Sequence, residues 1–261
     1  MERFVLKAGG SVLSDIQAYD KVAHVVQNLY LNPDYKLLGV VVSAMGKTTD
    51  KLEAMARDVC PDGVFRGGRD AERETAALVA TGEIQSAALL AKRLNGLGIV
   101  QSYNAFQAQI YTDDNFCNAK IKSIGNVLPN AVSAGILPII AGFQGITKDG
   151  DFTILSREGS DITAIECALK LHADFCWFFK DGGRIYDKNP NKYTDAKALD
   201  FITYQEMLNI IDSRPNQVLH RECVKRAKEE EMPLRVSSMH DLKNCTWIGS
   251  SRWWDSRNKH R

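Results

Sequence analysis

The chain has 261 residues, a formal net charge of +1 and 44% hydrophobic residues, which is the composition of an ordinary globular protein with one large domain or two lobes. The near-neutral charge gives no indication of a nucleic-acid partner, and no apolar run reaches the length of about 18 residues that a membrane-spanning helix needs. A strand pattern begins at Phe4, which leaves no room for a signal peptide, so we expect a cytoplasmic protein without a membrane partner.

The sulfur and imidazole side chains indicate no metal site. The six cysteines include no CxxC pair, and the five histidines have no metal-type spacing. Neither a disulfide framework nor a metal held by protein ligands is therefore predicted. We interpret the cysteines as buried or half-buried reduced thiols.

Short apolar runs alternate with amphipathic stretches along the chain. We predict strands at 4–6, 37–42, 98–102, 136–141, 152–155, 175–179 and 234–236, and helices at 18–30, 72–95, 162–171 and 204–211. Short β-branched strands separated by helices favour a mostly parallel open sheet covered on both faces, an α/β fold. The glycine-rich stretch 142–150 is the expected lobe junction. Residues 250–261 are expected to form a polar, basic tail, which its two tryptophans could pack onto the body.

The first predicted strand ends in the turn Lys7-Ala8-Gly9-Gly10-Ser11. The glycines allow a phosphate to approach the backbone amides, and the lysine adds a cation beside them. On spacing alone, the same residues also fit a simple tight turn.

The turn after the second strand ends in Gly46-Lys47-Thr48, like a Walker A loop. Val41 occupies the place of the first glycine that such a loop requires, so no P-loop is predicted. The alternative interpretation of this turn is a helix N-cap at Thr49 or Asp50.

Gly82 and Glu83 lie inside the long helical pattern at 72–95. A glycine within such a pattern indicates either a break in the helix or a close approach of another segment. Glu83, taken alone, fits a solvated surface position.

A second segment suited to an anion, Arg157-Glu158-Gly159-Ser160-Asp161, follows the strand at 152–155 and leads into a helix. Ser160 or Asp161 would cap that helix, but capping does not explain the arginine and glycine just upstream. Helix starts favour phosphates through their free amides and their dipole. Together with the first turn, this segment predicts a site clamped between two lobes around a phosphorylated group.

Taken in order, these motifs resemble the catalytic domain of aspartokinases, within the amino acid kinase family. The resemblance runs from residue 3 to about residue 248 and includes Lys-x-Gly-Gly, Val-Ser-Ala-Met-Gly-x-x-Thr-Asp, Gly-Glu, Gly-Phe-x-Gly, Arg-x-Gly-Ser-Asp-x-Thr-Ala and Val-Leu-His. It implies a three-layer α/β/α sandwich over residues 1–249, with an acceptor lobe at about 1–145 and a nucleotide lobe at about 146–249. It also leads us to expect no regulatory ACT domain.

The resemblance implies a role for each matching residue. Lys7 would stabilise the transferring phosphoryl group, and Asp161 would orient that lysine. Glu83 would bind the α-ammonium of a free amino acid, and Arg157 would bind its α-carboxylate. An acid suits an ammonium, and a fork-shaped arginine suits a carboxylate. The remaining assignments are phosphate binding by Gly9, Gly10 and Ser11, substrate binding by Ser43, Thr49 and Ser160, and nucleotide binding by Lys180, Asp181, Tyr186 and Gln217.

The implied activity is phosphorylation of the side-chain carboxylate of aspartate or a close analogue, with ATP and Mg²⁺, to give an acyl phosphate. One alternative is a related kinase acting on another amino acid, a carbamate or a phosphonate. Another is a catalytically silent protein that binds a nucleotide or anion. The resemblance also implies a possible homodimer.

The chain departs from the family pattern in the nucleotide half. Lys180 stands where the family usually has threonine, Asn191 replaces an arginine, and Gln217 replaces a phosphate-contacting lysine. The cations that could supply the missing charge are Lys180, Arg184, Lys188, Arg214 and Arg221.

Overall fold

The computed structural model describes residues 1–59, 68–213 and 219–259. Its strands are β1 Glu2–Ala8, β2 Tyr35–Val42, β3 Val100–Tyr103, β4 Ile110–Thr112, β5 Ile121–Ile124, β6 Leu137–Ala141, β7 Gln144–Ile146, β8 Phe152–Ile154, β9 Phe175–Phe179, β10 Phe201–Thr203, β11 Leu234–Ser237 and β12 Cys245–Gly249. Its helices are α1 Ile16–Leu31, α2 Thr48–Asp58, α3 Arg69–Arg93, α4 Ala105–Ala108, α5 Val127–Ser133, α6 Gly159–Lys170, α7 Tyr204–Ser213, α8 Arg221–Glu229 and α9 Ser251–Asn258. Within these ranges, no helix is both long enough and apolar enough to cross a membrane.

The main sheet has eight strands in the order β10-β12-β11-β9-β1-β2-β6-β3. Every neighbouring pair is parallel except β11 and β12, so the strands β10 and β12 run opposite to the other six. The mostly parallel open sheet predicted from the sequence is therefore confirmed. The carboxyl ends of β1, β2, β6 and β9 meet at one edge, which is where open α/β sheets bind ligands.

Two apolar layers cover the two faces of this sheet. Alternate residues of β1 point to opposite sides, so Phe4 and Leu6 pack in one core with Val22 of α1, while Val5 packs in the other with Ile165 of α6. Burial on both faces explains why the central strands are continuous apolar runs. The result is the three-layer α/β/α sandwich that the family resemblance implied.

A second sheet of four short strands, in the order β5-β4-β7-β8, lies apart from the main one. The predicted strand at 152–155 belongs to this sheet as β8, where it pairs antiparallel with β7. The stretch 142–150, expected as a lobe junction, contains β7 and the turn that joins it to β8. The glycine and polar residues at the end of this stretch form a hairpin turn, in which Gly150 has a left-handed conformation at φ +90°.

The segment expected as a polar tail forms helix α9, which begins after the N-cap Ser250. Trp254 stacks on Phe201 with ring centroids 4.7 Å apart, and Trp253 lies 5.2 Å from Trp247. These tryptophans hold the helix on the end of the sheet formed by β10 and β12.

Candidate active site

Lys7 lies near the carboxyl end of β1 and is buried, with a residue exposure of 5%. Residues 10–13 form a turn, in which the Leu13 amide donates to the Gly9 carbonyl at 2.9 Å. Helix α1 begins only at Ile16, after its N-cap Asp15. A short turn therefore separates the glycines from helix α1, which begins two residues before the predicted start at 18.

Gly10 allows two turns to meet. A Cβ atom at this position would lie 2.8 Å from the Ala44 carbonyl oxygen, and the Gly46 amide donates to the Gly10 carbonyl at 3.1 Å. Gly46 itself has φ +53°, a left-handed conformation that suits glycine. The turn after β1 and the turn after β2 are thus fixed against each other at the carboxyl edge.

Helix α6 begins two residues earlier than a cap at Ser160 would require, and three residues earlier than a cap at Asp161 would require. Its N-cap is Glu158, in a left-handed conformation at φ +64° and without a side-chain capping bond. Ser160 and Asp161 therefore lie in the first helical turn, and the prediction that one of them caps the helix is wrong. Their side chains are therefore not used for capping and are available to the site.

Asp161 brings two lysines together. One carboxylate oxygen, Oδ1, lies 2.7 Å from Lys7 Nζ, and the other, Oδ2, lies 3.1 Å from Lys180 Nζ. The His220 amide, at the start of α8, also approaches Oδ2 at 3.4 Å. The side chain of Asp161 is fully buried and that of Lys7 is 6% exposed. The predicted pairing of Lys7 with Asp161 is present, and Lys180 joins it.

Burial and charge act against each other in this cluster. Burial alone would raise the pKa of Asp161, but the ammonium groups of Lys180 and Lys7 outweigh it and hold the pKa well below its usual range. Burial lowers the pKa of Lys7; Asp161 opposes this change, and the charge of Lys180 adds to it. The carboxylate is therefore ionised at every physiological pH and anchors both cations.

Glu83 is buried in the middle of α3, with an exposure of 2%. Its Oε1 accepts a hydrogen bond from the Ala44 amide at 3.1 Å, whereas its Oε2 has no hydrogen-bond partner in the described part of the chain. Burial raises the pKa of this carboxyl group to about 8. The solvated position that Glu83 suggested when taken alone is wrong, because the apolar packing of α3 turns this residue inward.

Helix α3 runs through Gly82 without a break. A Cβ atom there would lie 3.0 Å from Ala44 Cβ and 3.3 Å from Leu52 Cδ1. Of the two possibilities for this glycine, the close approach is present. It lets the turn after β2 come near enough for the Ala44 amide to reach Glu83.

The turn after β2 supplies Ser43 and Thr49. Helix α2 begins at Thr48 after Lys47, with no side-chain capping bond, so the alternative of a cap at Thr49 or Asp50 is wrong. The Ser43 carbonyl accepts a bond from the Ser86 hydroxyl at 2.6 Å. Thr49 lies near enough to Glu83 to lower the pKa of the glutamate, against the larger effect of burial.

A cavity of about 490 Å³ opens between these elements. It is lined by six of the predicted site residues, namely Ser11, Ser43, Thr49, Glu83, Arg157 and Ser160. The Arg157 side chain is 89% exposed, with its guanidinium 3.9 Å from the Asp50 carboxylate. The arginine therefore lies at the mouth of the cavity, and the partly unpaired Glu83 lies in its wall.

The profile of the amino acid kinase family matches residues 2–238. The chain belongs to the amino acid kinase family. Among curated members, it is 34% identical to the aspartokinase of Geobacillus stearothermophilus over 94% of this chain and 58% of that protein. It is 37% identical to aspartokinase 2 of Bacillus subtilis over 80% of this chain and 50% of that protein. The chain thus spans about half the length of these relatives.

The fold agrees with this membership. The solved aspartate kinase of Synechocystis superposes with a TM-score of 0.80 at 28% identity, over 95% of this chain and 40% of that one. The two chains therefore share one fold.

Several residues that line the cavity of this amino acid kinase were not predicted to belong to the site. They are Gly46, Asp50, Glu53, Cys117, Phe143, Ile154, Leu155 and Glu158. The motifs recognised in the sequence include Asp50, Phe143 and Glu158. Sequence reasoning could therefore have assigned these residues to the site. Cys117 comes from the loop between β4 and β5, and no sequence pattern connects that loop to the site.

The residues that the sequence predicted to bind the nucleotide are spread out in the structure. Asp181 is exposed just beyond β9, and Tyr186 is half-buried and bridges to Ala198. Gln217 lies outside the described residues. Of this group, Lys180 is the residue that the structure joins to Lys7, through Asp161.

Proposed function

We propose that the protein is an ATP-dependent kinase that phosphorylates the side-chain carboxylate of aspartate or a close amino-acid analogue. The observation that carries the proposal is the free Oε2 of the buried Glu83, which lies in the cavity wall and within electrostatic range of Lys7. A buried carboxylate oxygen without a partner is stabilised by a cationic ligand group. The sequence similarity to aspartokinases supports the same choice of substrate.

The substrate would bind by complementary charge. Its α-ammonium would pair with Glu83, and its α-carboxylate would pair with the exposed guanidinium of Arg157. The guanidinium can donate two parallel hydrogen bonds to a carboxylate. The hydroxyls of Ser43 and Thr49, which line the same cavity, would complete the pocket. This arrangement selects a free amino acid over an N-acylated one, because an acylated nitrogen carries no charge for Glu83.

The chemical step needs no general base, since a side-chain carboxylic acid with a pKa near 3.9 is already ionised at neutral pH. A carboxylate oxygen forms a bond to the γ-phosphorus, the bond to the bridging oxygen breaks, and ADP leaves with that electron pair. Lys7 would stabilise the charge on the transferring group, with Asp161 holding the ammonium in place. Gly9, Gly10 and Ser11 would leave backbone donors close to the phosphates.

The proposal includes Mg²⁺ as the companion of ATP. Both oxygens of Asp161 already face ammonium groups, at 2.7 and 3.1 Å, so this carboxylate does not fit the role of a metal ligand. Mg²⁺ would be held chiefly by phosphate oxygens, as is usual for this ion, and would neutralise phosphate charge when bound.

The test is to trap the acyl phosphate with hydroxylamine, using MgATP and a panel of free amino acids. We expect aspartyl hydroxamate from the unaltered protein. Lys7→Met should reduce turnover by at least about 10²-fold, because one charge-stabilising donor is typically worth that much. Its melting temperature and its binding of aspartate serve as controls for folding.

Each result has a clear meaning. Hydroxamate with a different amino acid alone would keep the reaction and change the acceptor. No hydroxamate with any acceptor, despite measurable ATP binding, would overturn the kinase and favour the silent binder. Near-normal turnover by Lys7→Met would contradict the role assigned to this lysine.

A further inference from the structure

The cluster around Asp161 carries more positive charge than its single carboxylate balances. Lys7 and Lys180 each contact one oxygen of this fully buried group. One negative charge can offset one ammonium, so these three side chains together carry a net positive charge. Glu158 and Glu83 act on Lys7 through longer-range electrostatics. A buried charge without a counterion destabilises the folded protein unless a ligand of opposite charge binds beside it. The cluster is therefore arranged to receive an anion.

The topology explains how Lys180 reaches this position. Strands β1 and β9 are parallel neighbours, with Ala8 opposite Phe179. Lys180 follows Phe179 directly, so it leaves β9 beside the turn that begins at Gly9. Its amide donates to the Ser237 carbonyl at 3.0 Å, which fixes the backbone against β11. The Lys180 side chain is 21% exposed, compared with 6% for Lys7, so it keeps one side open.

The other candidate cations that the structure describes pair with carboxylates elsewhere. The sequence offered four besides Lys180. Arg184 pairs with Asp200, Lys188 pairs with Asp195, Arg221 pairs with Asp212, and Arg214 lies outside the described residues. Of those that the structure describes, only Lys180 contacts Asp161.

We infer that Lys180 is a second phosphate-binding residue of this site, supplied from the end of β9. It takes the place of the lysine that the family pattern has at the position of Gln217. This inference rests on the proposed function. Lys180 would contact a non-bridging oxygen of the transferring phosphoryl group and keep its own proton, while Asp161 holds it beside Lys7.

The decisive variant is Lys180→Thr, which restores the residue that the family pattern has here. We expect kcat to fall by about 10²- to 10³-fold, the usual effect of losing one charge-stabilising donor. The KM for the amino acid should change by less than about threefold, since Glu83 and Arg157 are untouched. Lys180→Arg keeps the charge and should recover part of the activity. If the threonine variant does not fold, Lys180→Gln, with its longer side chain, gives the same comparison.

A matched control is Lys170→Met. Lys170 is the last residue of α6 and donates to Asn126 at 2.9 Å. It lies 11 residues from the start of the helix at Gly159, or about 16 Å along the axis at 1.5 Å per residue. Lys170→Met also replaces a lysine with a neutral residue, but far from the site, so it should leave kcat and nucleotide binding unaltered.

Calorimetric binding of ATP and AMP tests the inference independently of turnover. The unaltered protein should bind ATP more tightly than AMP, and Lys180→Thr should lose at least about tenfold in ATP affinity while AMP affinity stays the same. Equal loss for both nucleotides would show a structural role and overturn the inference. So would a Lys180→Thr variant with unchanged kcat and ATP affinity. A protein that lacks turnover but shows the expected difference between ATP and AMP would refute the kinase and retain the phosphate site.

Discussion

Glu83 is a carboxyl group whose ordinary pKa of 4.5 is raised to about 8 by burial. Between pH 4.5 and pH 8 the native protein keeps this proton while the unfolded chain loses it, so Glu83 makes the protein less stable as the pH rises through that window. Glu83→Gln removes the titration and keeps the shape. We expect the melting temperature of the variant to exceed that of the unaltered protein at pH 8, and the difference to shrink toward pH 5. The effect is at most about 1.4 kcal/mol per pH unit.

Substrate binding should become tighter as the pH rises, whereas the stability of the protein falls. An ammonium group pairs with the ionised form of Glu83, so the KM for the amino acid should fall as the pH rises toward 8. Glu83→Gln should raise that KM by about 10- to 100-fold, the value of a charged hydrogen bond, and remove its pH dependence below pH 8. Glu72→Gln, an exposed carboxylate in the first turn of the same helix, is the control. An unchanged KM in Glu83→Gln would argue against an α-amino substrate.

At the residue scale, the motifs predicted which side chains approach one another at the carboxyl edge, because strand ends in a parallel sheet share that edge. They did not predict that Glu83 is buried or that Lys180 contacts Asp161. Both depend on contacts between residues distant in the chain. Lys180 and Asp161 are 19 positions apart, and the pairing of β9 beside β1 makes Lys180 a neighbour of Lys7 as well. No local pattern contains that pairing.

At the scale of single elements, the docking of α9 depends on the stack of Trp254 on Phe201, at 4.7 Å and an interplanar angle of 10°. Trp254→Ala should cost about 1 to 2 kcal/mol through lost apolar area and ring contact. For a chain of this size, that lowers the melting temperature by roughly 3 to 6 °C. Kinase turnover at 25 °C should be unchanged, because α9 packs on β10 and β12 and not on the cavity. Differential scanning calorimetry measures the shift.

The control for this prediction is Arg252→Ala, an exposed residue of the same helix, which should melt like the unaltered protein. A Trp254→Ala variant with an unchanged melting temperature would show that the stack does not hold the helix. Loss of turnover in a folded Trp254→Ala variant would show that α9 acts on the site.

Strongly patterned elements were predicted from the sequence, including the short strands β8 and β11, whereas helices α2 and α8 and several short strands were missed. Helix α3 and strands β1, β2 and β9 have enough periodic or continuous apolar residues to be recognised. Strands β4 and β7 have three residues each, which is too few for a pattern to emerge from the background. They are specified by pairing with each other, at Tyr111 and Ile146, and so by the assembled sheet. Helix α9 was expected as a tail because its sequence is polar apart from Trp253 and Trp254.

At the scale of the whole molecule, one sheet joins the two expected lobes. Strand β9, from the second half of the chain, pairs with β1 from the first half, and one apolar core contains Val5 and Val41 together with Ala164 and Phe178. We therefore expect a single cooperative unfolding transition, with equal calorimetric and van't Hoff enthalpies. A fragment of residues 1–145 should show no cooperative transition, because its open β1 edge and half-core stay exposed. Two resolved transitions, or an independently folding fragment, would contradict this.

The crowding of aromatic rings beneath α9 has a spectroscopic consequence. The chain has four tryptophans, and Trp177, Trp247, Trp253 and Trp254 all belong to one connected aromatic network with Phe4, Phe175 and Phe201. Guanidinium groups sit over two of the indoles, with Arg235 3.7 Å from Trp177 and Arg257 4.2 Å from Trp247. Indole emission is sensitive to such neighbouring charges. Intrinsic fluorescence will therefore report the packing of helix α9 on the sheet.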